Sequence, residues 1–352
     1  MSQEDGWAAL NLRMPPRVPR TEYSAEGHWP LISAVTGIRV VPDAPEPLKR
    51  RAQRAFHRAW NYDLHWNTLI ARQEFGAKCS RMGHGVYAAD GSDFDRQVTT
   101  FLTDPAEALA FDPWEAFGRR DEGELTRRFE ADYAARCEGD ADAVNMTGIY
   151  ITCISGLIDI LGWEMLLLAA GTDLRAFGDL TDRYASWVGQ YFRALARARV
   201  PVVMCHDDIV WTEGPFLPPE WYRRYVFPNY RKLFAPLVEA GQKVLFTSDG
   251  NYTVFIDDIA ATGVGGFVME PTTDMACVAE KYGRSHAFIG NADTRVLLSG
   301  TKGQIRSEVE RCMAIGKGCP GFFLAVGNHI PPNTPVDNAI YYNQVYEQLS
   351  RR

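Results

Sequence analysis

The chain has 352 residues, 46% of them hydrophobic and 23% charged, with a formal net charge of -7. That length can bury a large core, as two domains or as one α/β barrel, and the acidic balance without a long Lys/Arg run excludes nucleic acid as a main partner. Cysteines at 79, 137, 153, 205, 277, 312 and 319, odd in number, with no CxxC pair and no signal peptide, are expected to be reduced thiols of a cytoplasmic protein.

Residues 1–20, with Pro15, Pro16 and Pro19, are expected to form an irregular lead-in. A first strand is expected near residues 17–23. Residues 45–64 have helical periodicity, with Phe56, Trp60 and Leu64 on one side and Lys49, Arg50, Arg51, Arg54 and Arg58 on a solvated face. A second strand is expected at 68–75 and a loop at the Gly-rich run 83–92. Helices follow at 105–117, opened by Asp104 as cap and Pro105 in the first turn, and at 122–137.

From residue 143 strands and helices alternate. Strands are expected at 143–151, 200–205, 243–246, 265–269, 286–290 and 321–326. Helices are expected at 154–170, 174–198, 219–240, 254–261, 275–282, 304–316 and 337–349. The most apolar stretch, 149–171, is interrupted by Asp159 and Glu164, so it reads as a buried helix rather than a membrane span. Such alternation implies parallel βαβ units. No GxGxxG or GxxxxGK[ST] follows a strand, so no nucleotide site is signalled. The expected architecture is α/β: a (β/α)8 barrel with an irregular, helical N-terminal part, forming one domain over residues 1–352.

In such a barrel the carboxyl ends of the strands converge on one mouth. Here they carry Tyr150, His206, Asp208, Asp249, Glu270, Asn291, Asp293, Asn328 and His329. Val202 to Cys205 is an apolar run that turns polar at His206, Asp207 and Asp208. His206 and Asp208, two apart, share one face of an extended chain while Asp207 faces the other way. A histidine and a carboxylate delivered together suit acid–base work or metal ligation; a turn in which Asp207 or Asp208 caps the next segment is the structural alternative. The candidate catalytic residues are His206, Asp208, Asp249 and His329. Asp249, Glu270 and His329 are the candidate ligands of a divalent ion such as zinc, and a hydrogen-bonded polar cluster without an ion is the alternative. His28, Tyr150, Trp211, Asn291 and Asn328 are candidate substrate contacts. The aromatic N-terminal third, with Tyr23, His28, Trp29, Trp60, Tyr62, His65 and Trp66, can line a pocket for a flat substrate or simply fill the core.

The segments HDDIVWTEGPFLPPEWY (206–222), VLFTSDGN (244–251), ATGVGGFVMEP (261–271), KYGRSHAFIGNADT (281–294) and GNHIPPNTPVDN (327–338) occur in an order that resembles the uroporphyrinogen decarboxylase-like superfamily. The resemblance implies a TIM barrel with its site at the strand ends, and either decarboxylation or corrinoid-dependent methyl transfer. The arginine-rich RQAGR pattern that holds the carboxylates of a tetrapyrrole in the decarboxylases has no counterpart here. The zinc ligands of the thiol-methylating branch, a His-x-Cys and a later Cys, correspond to Thr247-Ser248-Asp249 and Asn328-His329, so that zinc site is not carried over. The resemblance then implies an O-demethylase: a methyltransferase that takes a methyl group from a methoxylated aromatic or another O- or N-methyl donor. It would pass that group to cob(I)alamin on a partner corrinoid protein, since the corrinoid-binding signature DxHxxG is missing. Cob(I)alamin is itself a strong nucleophile, so the enzyme must help the departing oxygen, by a proton or a metal. A decarboxylase of a small organic acid and a non-catalytic ligand-binding barrel are the alternatives. Neither nucleic acid nor membrane is expected as a partner, and a homodimer is allowed.

Overall fold

A computed structural model describes residues 2–80 and 100–352, and the backbone of the pairs 86–87 and 93–94. Its strands are β1 (Leu64–His65), β2 (Val86–Tyr87), β3 (Asp93–Phe94), β4 (Val144–Asn145), β5 (Thr147–Ile149), β6 (Val202–His206), β7 (Lys243–Ser248), β8 (Gly266–Met269), β9 (Ala287–Ala292) and β10 (Phe322–Val326). β5 to β10 form one sheet in chain order, every pair parallel. β1 pairs in parallel with β4, and Arg20 makes parallel bridges to both Tyr62 and Leu324. Those two bridges join the ends of the sheet. The segments at Arg20, at 62–65 and at 144–149, with β6 to β10, therefore surround a closed (β/α)8 barrel.

The second strand lies at 62–65, not at the expected 68–75. The helix Glu46–Ala59 stops before Trp60, and Asn61 takes a left-handed φ of 56°, which ends the helical path and starts the strand at 62 instead of 68. Residues 72–75 are a 3-10 helix, with Ile70 making a single parallel bridge to Ile149. Within the run expected as a loop lies β2, which pairs antiparallel with β3 just after it; the rest of 83–92 lies outside the described residues.

The lead-in is not irregular at its start. Gln3–Leu10 is a helix whose Ser2 cap accepts from the Asp5 amide, while the Ser2 amide donates to Asp63 at 2.7 Å. Its Ala9 and Leu10 pack with the luminal side chains Leu64, Val144, Val202 and Phe323, so it closes one end of the barrel. Gly6 permits that approach: a Cβ there would stand 2.3 Å from the Asp63 carbonyl oxygen. Eight residues with an Ala/Gly-rich face are too short a pattern to separate from coil by periodicity.

Three expected helices are broken by identifiable residues. Gly162, at φ 76°, divides 154–170 into Ile154–Leu161 and Trp163–Thr172, which meet at 107°. Pro113, capped by Asp112, opens a separate turn Pro113–Phe117, and the 219–240 helix is interrupted at Val226 ahead of Pro228. Among the described residues no single helix is long and apolar enough to cross a membrane, and all seven cysteines are free thiols.

Candidate active site

Alternation along β6 decides what reaches the mouth. Val202 and Met204 lie in the luminal cluster, so His206 follows them on the inward face and Asp207 turns outward. Asp207 Oδ1 accepts from the Cys153 and Ser155 amides at 3.1 and 2.6 Å, and its Oδ2 accepts from the Tyr230 hydroxyl. It is fully buried, and burial pushes its carboxyl up to about 6. Asp207 is thus a structural cap on the segment after β5.

His206 has a different environment. Its Nε2 lies 3.2 Å from Asp208 Oδ1, and its Nδ1 lies 3.3 Å from both the Tyr150 carbonyl oxygen and Ser155 Oγ. The ring is stacked on Tyr150 at 3.7 Å and 9°. Burial alone would lower the affinity of this imidazole for a proton, but the negative charge and hydrogen bond of Asp208, with further charge from Asp249 and Asp207, push it up to about 9. His206 therefore carries a proton at neutral pH. Asp208 is held below the usual carboxylate range, because the charge and hydrogen bond of His206 outweigh burial. The Asp208 amide donates to Ser155 Oγ at 2.7 Å, and Asp208 Oδ1 accepts from the Asp249 amide at 3.1 Å.

These groups open into a cavity of about 330 Å³. Tyr150, His206, Asp249, Asn328 and His329, all read from the sequence, line it. So do Tyr23, Glu26, Trp66, Asn67, Thr247 and Met269, which strand-end reasoning did not reach. The Tyr23 hydroxyl, Trp66 Nε1 and Thr247 Oγ1 are buried there with no hydrogen-bond partner among the described residues. Buried polar atoms are rarely left so; at a cavity wall they are groups for a ligand to satisfy. For Tyr23 and Trp66 the signal in the sequence was the aromatic N-terminal third, which says nothing of direction.

Three candidate substrate contacts are placed elsewhere. His28 caps the helix Trp29–Thr36, accepting from the Leu31 amide, with its Nε2 2.8 Å from the Thr334 carbonyl. Asn291 is fully buried: its Nδ2 donates to the Glu270 and Thr273 carbonyls, and its Oδ1 accepts from Arg311. Trp211 is 47% exposed and packs with Trp163 and Phe216 outside the cavity lining. Each obeyed the strand-end or aromatic rule locally, but the packing around it turned the side chain to another task.

The ion-ligand grouping also differs from Asp249, Glu270 and His329. Among the described residues, Asp249 groups with His206 and Asp208, one ligand atom from each lying within 4.8 Å of the others. Glu270 is engaged instead by the Gly250 amide at 2.7 Å and by Asn328 Nδ2 at 2.5 Å. One imidazole and two carboxylates fit a divalent ion such as zinc in ligand type, and the Tyr150 carbonyl stands where it can orient the second ring nitrogen.

Asp159, behind the site on the helix Ile154–Leu161, offers a check on local electrostatics. Burial pushes its carboxyl from 3.8 up to about 6; Arg72 opposes this and Asp208 reinforces it. The folded state thus binds this proton more tightly than the unfolded chain. The stability it contributes is greatest below about pH 4 and is lost as pH rises through about 6. Asp159→Asn is expected to raise the melting temperature above pH 6 by a few degrees, on the order of 1–2 kcal/mol, and to leave it unchanged near pH 4. Melting curves at both pH values check this.

A model of the uroporphyrinogen decarboxylase (URO-D) family matches residues 147–347. Among curated proteins, the uroporphyrinogen decarboxylase of Thermus thermophilus is 29% identical over 171 residues, covering 49% of this chain and 48% of that protein. That of Vibrio cholerae is 29% identical over 178 residues, covering 49% and 48%. The chain spans about half the length of the curated relatives it matches. Among solved structures, a methyltransferase from Methanosarcina mazei superposes with a TM-score of 0.65 over 98% of each chain at 16% identity, a likeness of fold.

Proposed function

This chain belongs to the uroporphyrinogen decarboxylase (URO-D) family, and on that premise we propose that it is a methyltransferase. Its substrate would be a small O- or N-methyl donor, and its methyl acceptor cob(I)alamin on a partner corrinoid protein. The observation that carries this reading is the charge of the cavity wall. Among its described lining residues none is Arg or Lys, whereas Glu26 and Asp249 are present. A polycarboxylate substrate finds there only the His206 imidazolium, already paired with Asp208, and meets two acids. A neutral or cationic substrate meets Tyr23 and Trp66, with ring centroids 4.5 Å apart, and the unpartnered hydroxyl and indole N–H.

Size points the same way. An apolar cavity of about 150 Å³ holds a benzene, so a cavity of about 330 Å³ suits a substituted single ring or a methylated amine, not a tetrapyrrole. The corrinoid would supply the nucleophile that takes the methyl group. For an ether, the methyl carbon–oxygen bond breaks and its electron pair stays on oxygen, which needs a proton. His206 carries one, and Asp208 and the Tyr150 carbonyl fix its ring beside the cavity. His206, Asp208 and Asp249 would hold an ion if one is bound, and it would supply Lewis acidity toward that oxygen.

The test is formation of methylcobalamin, followed spectroscopically, with purified protein, reduced corrinoid protein and a panel of methoxylated aromatics and methylated amines. Neutral or cationic donors are expected to react, and ring-carboxylated analogues to react more slowly. Release of CO2 from a small organic acid without corrinoid would move the assignment to the decarboxylase alternative.

A further inference from the structure

A second group of ligating side chains lies on the outer side of the barrel wall. Leu64 packs in the lumen, so its neighbour His65 points outward, toward the helices Glu46–Ala59 and Glu122–Gly139. His57 occupies the last turn of the first helix, and Asp140 ends the second. We propose that His57, His65 and Asp140 bind a divalent transition-metal ion, zinc by ligand type, and that Glu26 orients His57 from behind.

Three independent observations carry the site. One ligand atom from each of the three residues lies within 4.8 Å of the others. His57 and His65 are each 7% exposed, yet His57 Nδ1 and His65 Nε2 have no hydrogen-bond partner among the described residues; Asp140 Oδ1 stands 3.6 Å from His57 Nδ1, too far for a hydrogen bond. Leaving a buried nitrogen unpaired is costly, and an ion between these atoms satisfies both rings at once. Finally, His57 Nε2 faces Glu26 Oε1 at 3.2 Å. A carboxylate on the far nitrogen of a ligating imidazole is the usual arrangement in metal sites, since it sets the tautomer and raises ligand basicity.

The geometry needs little adjustment. Bonds of about 2.0–2.2 Å in a tetrahedral site place ligand atoms roughly 3.3–3.5 Å apart, a separation that side-chain rotation reaches from the present one. Imidazole with carboxylate suits zinc and its neighbours better than magnesium or calcium. The Asp140 side chain is 27% exposed, which gives the ion an entry path and leaves room for water as a fourth ligand. The Asp140 carbonyl accepts from Asn145 Nδ2 at 2.9 Å, which ties this turn to β4. Such an ion would clamp β1 to two covering helices and, through His57, fix Glu26 at the cavity wall. The inference does not depend on the reaction proposed above.

The experiment is zinc titration of chelator-stripped full-length protein by calorimetry, with melting temperature as a second readout. It compares wild type, His65→Phe, Asp140→Asn, Glu26→Gln and, as the control at the mouth, Asp249→Asn. Wild type and Asp249→Asn are expected to share a site of micromolar Kd or tighter, with a melting temperature that rises with zinc. His65→Phe should abolish that site, and Asp140→Asn and Glu26→Gln should weaken it by about 10- to 100-fold. Asp140→Asn is nearly isosteric and lies at a half-exposed helix end, so it keeps the test decisive if His65→Phe does not fold. Absence of zinc binding below about 100 µM, or binding lost in Asp249→Asn and unaltered in Asp140→Asn, would overturn the proposal and leave His57 as an ion-pair partner of Glu26 and Asp140.

Discussion

Replacing His206 with alanine is expected to lower methyl transfer by about 10²- to 10⁴-fold, the range for loss of a positioned proton donor, and to lower the melting temperature as well, since Asp208 loses its partner. The ring sits at the inner end of β6, stacked on Tyr150 and held by Asp208 and the Tyr150 carbonyl. Removing it takes away the proton held beside the cavity and leaves the strand pairing of β6 with β5 and β7 in place. The neighbouring residue gives the contrast. Asp207 faces outward and satisfies the Cys153 and Ser155 amides, so Asp207→Ala should cost stability, and whatever protein folds should turn over at close to the normal rate. Methylcobalamin formation and thermal unfolding, measured on both variants, separate the two roles. Equal loss of activity in the two would remove the special role of His206.

Arg20→Met is expected to be the most damaging single change to stability, at about 3–5 kcal/mol, because it leaves a buried carboxylate without its partner. The Arg20 guanidinium is fully buried and donates to Glu22 Oε1 through Nε and Nη2 at 3.0 and 2.9 Å. It lies 4.4 Å from the Trp60 ring centroid and 4.9 Å from those of Tyr342 and Tyr346. Glu22 Oε2 accepts from the Val326 amide at 2.9 Å, so the pair ties the first segment of the barrel to the last. Arg20 is also the residue whose backbone bridges Tyr62 and Leu324, and Met keeps that backbone and most of the apolar stem. Adding Glu22→Gln should recover a large part of the loss, since the uncompensated charge is then gone. Denaturant unfolding of the two single variants and the double variant measures the coupling; additive losses would show that the ion pair is not what holds this closure.

The strand-and-helix alternation after residue 143, the parallel sheet it demands and the polar residues at the strand ends are all local properties. A period of two tells which residues share a face, and that was enough to put His206 and Asp208 together and to send Asp207 the other way. It also brought Tyr150, Asp249, Asn328 and His329 to one mouth, since a barrel collects its strand ends there. Local pattern could not show what depends on partners far away in the chain. Arg20 closes the barrel against Leu324, a contact between the two ends of the chain. β1 is two residues long, too short to carry an alternation, and its start is decided by the left-handed turn at Asn61. The helix Gln3–Leu10 is held by luminal packing and by Asp63, not by its own periodicity. Tyr23 and Trp66 became cavity wall, whereas His28 and Asn291 became structural hydrogen-bonding groups. Residue type allows either role, and only the packing of neighbouring elements decides which polar atoms are already satisfied and which are left for a ligand.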